Sequence, residues 1–539
     1  MTFRTGAGAG AGSRMGRAVV AAALAGGVLL TAGCGSGSER RATDSRYDGG
    51  RPDGAPAPVV PDGGKGAPSQ EGDRSGEAQR DFAPPADYLS TFALDVDTAS
   101  YDYTRRLLKE GGAPAPRQVR PEEFVNSFRQ DYPRPKGDGF SVTVDGARPN
   151  GGADGEIKAS GGGTEGYEDG NWSLVRVGLS TRPTDREAER PPAALTFVID
   201  ISGSMAEPGR LDLVKKSLGT LTEQLRGNDS IAVVTFSGEA ETRLPMTRVD
   251  GNRDRIHSII DELEPSDSTN VEAGVTTGYE EAVEGRRKGA TNRVVLLSDA
   301  LANTGETEAE AILERIEDAR RDHGITLFGV GVGSSFGDDL MERLADKGDG
   351  HTTYVSTEAE ARKVFVEQLP RHLELRARDA KAQVAFDPQT VEQFRLIGYE
   401  NREVADEDFR DDRVDGGEVG PGHAVTALYA VRLRDGASGH VATATVRWLD
   451  PRTRAPHEAS GSVETDAVDG ALWDAPSKRL QITAVAAYFA ESLRGGSMPG
   501  APGLAALEER ARALAATTED SAVRELADAI GQAQRRSRD

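Results

Sequence analysis

FVIDISGSM, residues Phe197–Met205, decides the fold. Phe197, Val198 and Ile199 continue an apolar run that opens at Leu195, as a strand buried on both faces requires. The run breaks abruptly into Asp200, Ser202, Gly203 and Ser204. Leu211, Val214, Leu218, Leu221 and Leu225 then recur at helical spacing, predicting an amphipathic helix. Further buried strands read at IAVVTF from Ile231, NRVVLLSD from Asn292 and ITLFGVGVG from Ile325. Helical patterns begin at Ala309 and Asp338. Apolar strands alternating with helices predict an α/β fold with a doubly wound, mostly parallel sheet over residues 192–370. Such sheets bind ligands beyond the carboxyl ends of their strands, where the polar cluster falls.

The flanks have a different texture. FSVTVDGA from Phe140 and NWSLVRVGLS from Asn171 alternate like half-buried strands and lie in an N-terminal helix/strand segment, 86–190. A Gly-rich insertion over 150–170 separates them. The helix after LSTFALDVDTAS takes Asp97 or Thr98 as its cap, and Pro121 opens a second helix. Beyond residue 371, AKAQVAFDP, FRLIGYENR, HAVTALYAVRLR and HVATATVRWLD predict an antiparallel, sandwich-like β region. It is followed by helices from Lys478 and Leu504, to residue 539. The acidic run DEDFRDDRVDGGE (406–418) lacks EF-hand spacing and reads as a solvated loop.

The formal charge is -23, from 88 acidic against 65 basic residues. Such a surface repels phosphate backbones and argues against nucleic-acid binding. Cys34 is the one cysteine, so no intrachain disulfide forms. Arg4, Arg14 and Arg17 precede the apolar run Ala18–Leu30, too short to span a bilayer. LTAGCGSGS follows and resembles the lipobox of bacterial lipoproteins, with Thr31 where that family usually has Leu. The resemblance implies a signal peptide over 1–34, lipidation at Cys34, and anchoring at the extracytoplasmic face of the cell membrane. Residues 35–85, rich in Gly, Pro, Ser, Asp and Arg, read as a disordered linker.

Asp200, Ser202 and Ser204 form D-x-S-x-S. This resembles the opening of the metal-ion-dependent adhesion site (MIDAS) of von Willebrand factor type A domains. The resemblance implies two more ligands, Thr269 in SDSTNVEAG and Asp299 in LLSDALAN; Ala300 stands where the family often has Gly. Ser202, Ser204 and Thr269 would contact Mg2+ directly, with Mn2+ and Ca2+ as alternatives, and Asp200 and Asp299 would act mainly through water. An exposed Asp or Glu of a protein partner would take the remaining position. STFALDVDTASY, YENREVADEDF and GPGHAVTALYAV extend the likeness to a bacterial family of exported von Willebrand type A proteins, over roughly residues 85–500. In that family the strands before and after the A domain are expected to pair into one sandwich.

Two readings from other classes stand beside this non-enzymatic binding or scaffold protein. GSSFG (333–337) satisfies G-x-S-x-G after a strand, which would make Ser335 the nucleophile of a serine hydrolase. A structural envelope protein with an unused metal site is the other.

Overall fold

The computed structural model describes residues 87–149, 171–183, 190–299, 306–333, 341, 343–345, 348 and 350–537. The expected signal peptide with Cys34, the linker over 35–85, the Gly-rich insertion, Ala300 and Ser335 lie outside the described residues, as does most of the helix expected from Asp338.

The chain enters through β1 (Leu89–Ala93), α1 (Ala99–Lys109), α2 (Pro121–Asn126), β2 (Phe140–Ala147) and β3 (Asn171–Thr181). Proline opens α2 as expected. The expected cap of α1 does not form. Thr98 occupies the N-cap position without a side-chain bond. Asp97 instead accepts from His351 Nδ1 at 3.0 Å and from the Thr352 N–H at 3.2 Å, across 254 and 255 residues.

The α/β layer follows as β4 (Ala193–Asp200), α3 (Leu211–Gln224), β5 (Ser230–Phe236), β6 (Ala240–Arg248), α4 (Arg253–Asp261), α5 (Val271–Glu284), β7 (Thr291–Ser298), α6 (Glu306–His323), β8 (Ile325–Val332), β9 (His351–Val355) and α7 (Glu358–Arg362). The sheet order is β6-β5-β4-β7-β8-β9, parallel except for β6. Its two faces pack separately. Leu195, Phe197 and Ile199 join Val214 and Leu218 of α3 on one side. Val198 joins Val275 of α5 and Ile316 of α6 on the other. A Cβ on Gly278 would stand 2.2 Å from Val198 Cγ2, so glycine lets α5 sit directly on β4. Sequence patterning passes over β6 because ETRLPMTR is polar and contains Pro245; an antiparallel edge strand tolerates both.

The chain then runs through β10 (Ala377–Phe386), β11 (Val391–Ile397), β12 (Gly417–Val419), β13 (Ala424–Leu433), β14 (His440–Leu449) and β15 (Pro456–Glu464). It ends in α8 (Lys478–Arg494), α9 (Leu504–Thr518) and α10 (Ser521–Arg536). One sheet is ordered β1-β10-β14-β15 with β12 on β10; the other is β11-β13-β3-β2. Thus β3, before the A domain, pairs with β13 after it along ten residues, from Ser180 opposite Ala424 to Asn171 opposite Leu433. The expected pairing across the A domain holds. The final helix α10 was not anticipated: its buried face has only Val523, Leu526 and Ile530 as bulky residues, the remainder being Ala and Gly.

The acidic run is not a solvated loop. Phe409 is buried, and the carboxylates find arginines on both sides. Asp412 pairs with Arg447 at 2.7 Å, Asp415 with Arg320 of α6 at 2.5 Å, and Glu418 with Arg293 of β7 at 2.8 Å. Arg293 and Glu418 are both 0% exposed, and Arg378 stands 3.7 Å from the same carboxylate. The strap therefore binds the A domain to the sandwich through a desolvated ion pair.

A buried pair loses most when one partner is removed and the other charge is stranded. Glu418→Ala is expected to lower the free energy of unfolding by about 3–5 kcal/mol in urea titration. Arg293→Met combined with Glu418→Leu is expected to cost much less, because neither member of the fully buried pair is left stranded.

Candidate functional site

Asp200 is the last residue of β4, a strand buried at every position. The loop leaves the sheet under tight control. The Ile201 N–H still bonds the Phe236 carbonyl at 2.9 Å, as the strand pairing would continue. The Ser202 N–H then folds back onto Asp200 Oδ1 at 2.8 Å, an Asx turn that reverses the chain. A single 3-10 turn, Gly203–Ala206, follows, pinned by the buried side chain of Met205. Ser204 is exposed at its tip, and α3 begins at Leu211.

Four of the five expected residues meet there in one hydrogen-bonded chain. Ser202 Oγ and Ser204 Oγ are 3.2 Å apart. Ser204 Oγ donates to Asp299 Oδ1 at 2.9 Å, bridging the ends of β4 and β7. Ser298 Oγ donates to Asp200 Oδ2 at 2.6 Å, so both Asp200 oxygens are engaged. The register Ile199 opposite Leu297 brings the two strand ends level.

Thr269 is placed differently. It lies exposed in the loop before α5, and among the described residues no hydrogen bond joins it to the other four. The loop itself is held against the site from both sides. The Ser266 N–H bonds the Ile201 carbonyl and the Asn270 N–H bonds the Ser237 carbonyl, each at 2.6 Å. Ser268, next to Thr269, has φ +73°, an uncommon conformation for a residue with a side chain.

Two participants escaped the sequence reading. Ser298 sits inside an apolar strand run, where only its partner Asp200 gives it meaning. Arg210, just before α3, directs its guanidinium into the cluster: Nη1 pairs with Asp299 Oδ2 and donates to the Ser204 carbonyl at 3.0 Å, and Nη2 meets Glu207 at 2.7 Å. Nothing local in the sequence marks it, since its partner carboxylate is 89 residues away. Gly333, at the start of GSSFG, has φ +98°, and a Cβ there would stand 3.2 Å from Arg210 Nε.

The donor set of Asp200, Ser202, Ser204, Thr269 and Asp299 is all oxygen, with no nitrogen or sulfur. That chemistry fits a hard divalent cation rather than zinc or copper. With only two carboxylates, it also agrees with the finding that no group of three or more His, Cys, Asp or Glu stands ready for a metal among the described residues. Burial raises the pKa of Asp200, with the Asp299 charge adding to it, against the hydrogen bonds from Ser202 and Ser298 that lower it. A cation nearby would reverse that balance.

Comparisons with known proteins agree with this layout. The von Willebrand factor type A domain model matches residues 194–368, that of von Willebrand factor residues 76–150, and that of the C-terminal region of uncharacterized protein YfbK residues 372–535. Uncharacterized protein YfbK of Escherichia coli (strain K12) is 34% identical over 435 residues, covering 76% of this chain and 71% of that protein. Human inter-alpha-trypsin inhibitor heavy chain H3 is 27% identical over 178 residues, covering 32% of this chain and 20% of its own length. Among solved structures, von Willebrand factor type A from Catenulispora acidiphila superposes with a TM-score of 0.45 at 13% identity, covering 74% of this chain and 91% of that one.

The raised pKa of Asp200 gives a signed expectation. The folded state holds the Asp200 proton more tightly than the unfolded chain, whose carboxyl titrates at about 4. Stability from this group therefore falls as pH rises from there through the folded pKa. In EDTA, the urea midpoint of Asp200→Asn relative to the unsubstituted chain is expected to climb as pH rises from about 4. A midpoint of Asp200→Asn that falls relative to the unsubstituted chain as pH rises would contradict the burial argument.

Proposed function

We propose that this chain, which belongs to the YfbK-like family of von Willebrand factor type A domain proteins, is a non-enzymatic binding or scaffold protein acting outside the cell membrane. Its A domain takes a protein partner through a divalent cation, with Mg2+ the first choice and Mn2+ or Ca2+ the alternatives. The observation that carries this reading is the hydrogen-bonded chain Ser202–Ser204–Asp299 beside Asp200 at the carboxyl edge of the sheet. When bound, the cation would supply a positive, Lewis-acidic centre for an exposed Asp or Glu of the partner. The chain's own residues do the rest. Ser202, Ser204 and Thr269 offer neutral oxygens, so little of the cation's charge is quenched. Asp200, fixed by Ser298 and the Ser202 N–H, and Asp299 orient the shell around it.

Arg210 acts on the same carboxylate from the other side. Its guanidinium neutralises Asp299, so cation binding competes with that ion pair. A serine hydrolase built on Ser335 has less support. His351 lies opposite Phe328, four residues back from Val332 in the neighbouring strand, about 13 Å from the edge where GSSFG begins. Its Nδ1 is committed to Asp97.

For location, the lipobox-like segment at Cys34 supports a lipid anchor. No helix among the described residues is long and apolar enough to cross a membrane. On this reading Cys34→Ser moves the protein from the membrane pellet to the soluble fraction; persistence in the pellet would sink the anchor.

The binding reading is tested by capture from envelope extracts with the full chain. Retention of a partner is expected in Mg2+, and its loss in EDTA or on replacing both Asp200 and Ser202 with Ala. Capture indifferent to EDTA would favour a structural envelope protein instead. Arg210→Ala is expected to tighten Mg2+ by about fivefold in calorimetry, equivalent to ~1 kcal/mol.

A further inference from the structure

Helices α5 and α6 lie side by side on one face of the A-domain sheet, and a groove of about 670 Å³ runs between their C-terminal halves. Its rim is acidic, exposed and regular. Glu280 and Glu284 stand one turn apart on α5, and Glu314, Asp318 and Asp322 stand at one-turn steps on α6. At a rise of about 1.5 Å per residue each step is about 6 Å, so the α6 row spans about 12 Å. Val283, Ala319 and Tyr279 line the same groove. Two arginines temper the charge. Arg315 stands 3.6 Å from Glu280, and Arg321 pairs with Asp318 and, at 3.3 Å, with Asp322. Among the described residues Glu284 and Glu314 have no ion pair, so the groove keeps a negative surplus.

Tyr279 distinguishes this groove from an ordinary solvated acidic face. The residue is 2% exposed, and among the described residues its buried Oη has no hydrogen-bond partner. The fold does not need that oxygen. Phenylalanine would pack the same ring against Val275 and Val198 without stranding a polar group, and a buried hydroxyl with its hydrogen bond unmade is destabilising. Burial raises the pKa of the phenol, with the Arg293 charge opposing it, so the hydroxyl is neutral at physiological pH. Its oxygen lone pairs are open to an N–H donor.

We propose that this groove binds a linear aliphatic polyamine, with its ammonium groups along the carboxylate rows, its methylenes on Val283 and Ala319, and one N–H donated to Tyr279 Oη. The volume lies within the range of about 300–1,000 Å³ usual for small-ligand sites. A row about 12 Å long is too short for a stable protein interface, which takes about 800 Å² from each partner. Each exposed carboxylate holds a cation weakly, so several must act on one molecule, and a chain that repeats its charge at intervals does this. An ammonium group is a compact cation with three donors, suited to carboxylates and a phenol oxygen set apart from one another. A bare metal ion would leave the apolar part of the groove unused. This site is separate from the oxygen cluster. Helices α5 and α6 lead into β7 and β8, so their last turns lie at the amino edge of the parallel sheet, whereas Asp200 ends its strand at the carboxyl edge.

The test is calorimetric titration of the full chain with spermidine in metal-free buffer. One equivalent is expected, with affinity that falls as salt is added. Glu284→Gln combined with Glu314→Gln should weaken binding about tenfold. Glu110→Gln combined with Glu509→Gln removes the same charge from exposed positions elsewhere and should leave it unchanged, as should Asp200→Ala. Tyr279→Phe should weaken binding about tenfold while the melting temperature of the free chain does not fall, because only a stranded hydroxyl is lost. A tyrosine kept for structure alone would do the reverse. Equal losses in the two double variants, or spermidine binding unchanged in Tyr279→Phe, overturn the proposal. So does a lysine-rich peptide that binds this groove more tightly than spermidine, since the occupant is then a protein.

Discussion

The ion pair between Arg293 and Glu418 ties the two halves of the molecule together, and the placement of the site follows from it. Arg293 lies near the beginning of β7, and Ser298 and Asp299 lie at the end of the same strand. Fixing the first fixes the second, because β7 is hydrogen-bonded to β4 through residues 291–297 and cannot slip without exchanging its two buried faces. Glu418 sits on β12, which pairs with β10 of the sandwich. This desolvated pair, together with Asp415–Arg320 and Asp97–His351, fixes where the A domain stands on its support. A hydrophobic pair could supply similar stability, but not a register-specific contact, since a misplaced strand would bury one charge alone.

The two edges of the α/β sheet carry opposite kinds of polar structure. At the carboxyl edge, Asp200, Ser202, Ser204 and Asp299 form a compact network around hydroxyls and carboxylates. At the amino edge, Asp97 and His351 join the N-terminal flank to β9, and Arg293 reaches the strap. The first network reaches the surface at Ser204, while Asp200, Ser202 and Asp299 are buried. The second is internal and holds domains in place. A binding surface at one edge can therefore be presented without disturbing the attachment at the other.

Much of the fold was legible because central parallel strands have no polar face to disguise them. β4, β5, β7 and β8 are buried at every position and read as unbroken apolar runs. The strands that were missed are edges: β6 and β15 are largely exposed, and β9 is short and rich in Thr. The sequences of β6 and β15 answer to solvent on one side, whereas β9 is buried and was hidden by its polar composition. Polar partners were misread for a different reason. Asp97 has the look of a helix cap because capping is a local pattern, while its actual partner lies 254 residues away. The run from Asp406 to Glu418 reads as solvated because Arg293 and Arg320 are remote in sequence. In the site, Asp200, Ser202 and Ser204 share one turn and were visible at once. Asp299 followed from its position at a strand end. Arg210 and Ser298 needed the folded chain.

Arg210 changes how the oxygen cluster should be understood. Burial raises the pKa of Asp200, which is fully buried, and the charge of the nearby Asp299 adds a smaller push in the same direction. The Arg210 guanidinium offsets the Asp299 charge and, among the described residues, makes no bond to Asp200. It is tethered to Glu207 and to the Ser204 carbonyl, both in the loop that carries the site. Any cation entering beside Asp299 must either displace Arg210 or share its carboxylate. The side chain is long and its neighbour Glu207 is exposed, so displacement has an available destination in solvent. On the proposed reading, the affinity of an entering cation would be set by the difference between two competing charge pairs rather than by the oxygen ligands alone.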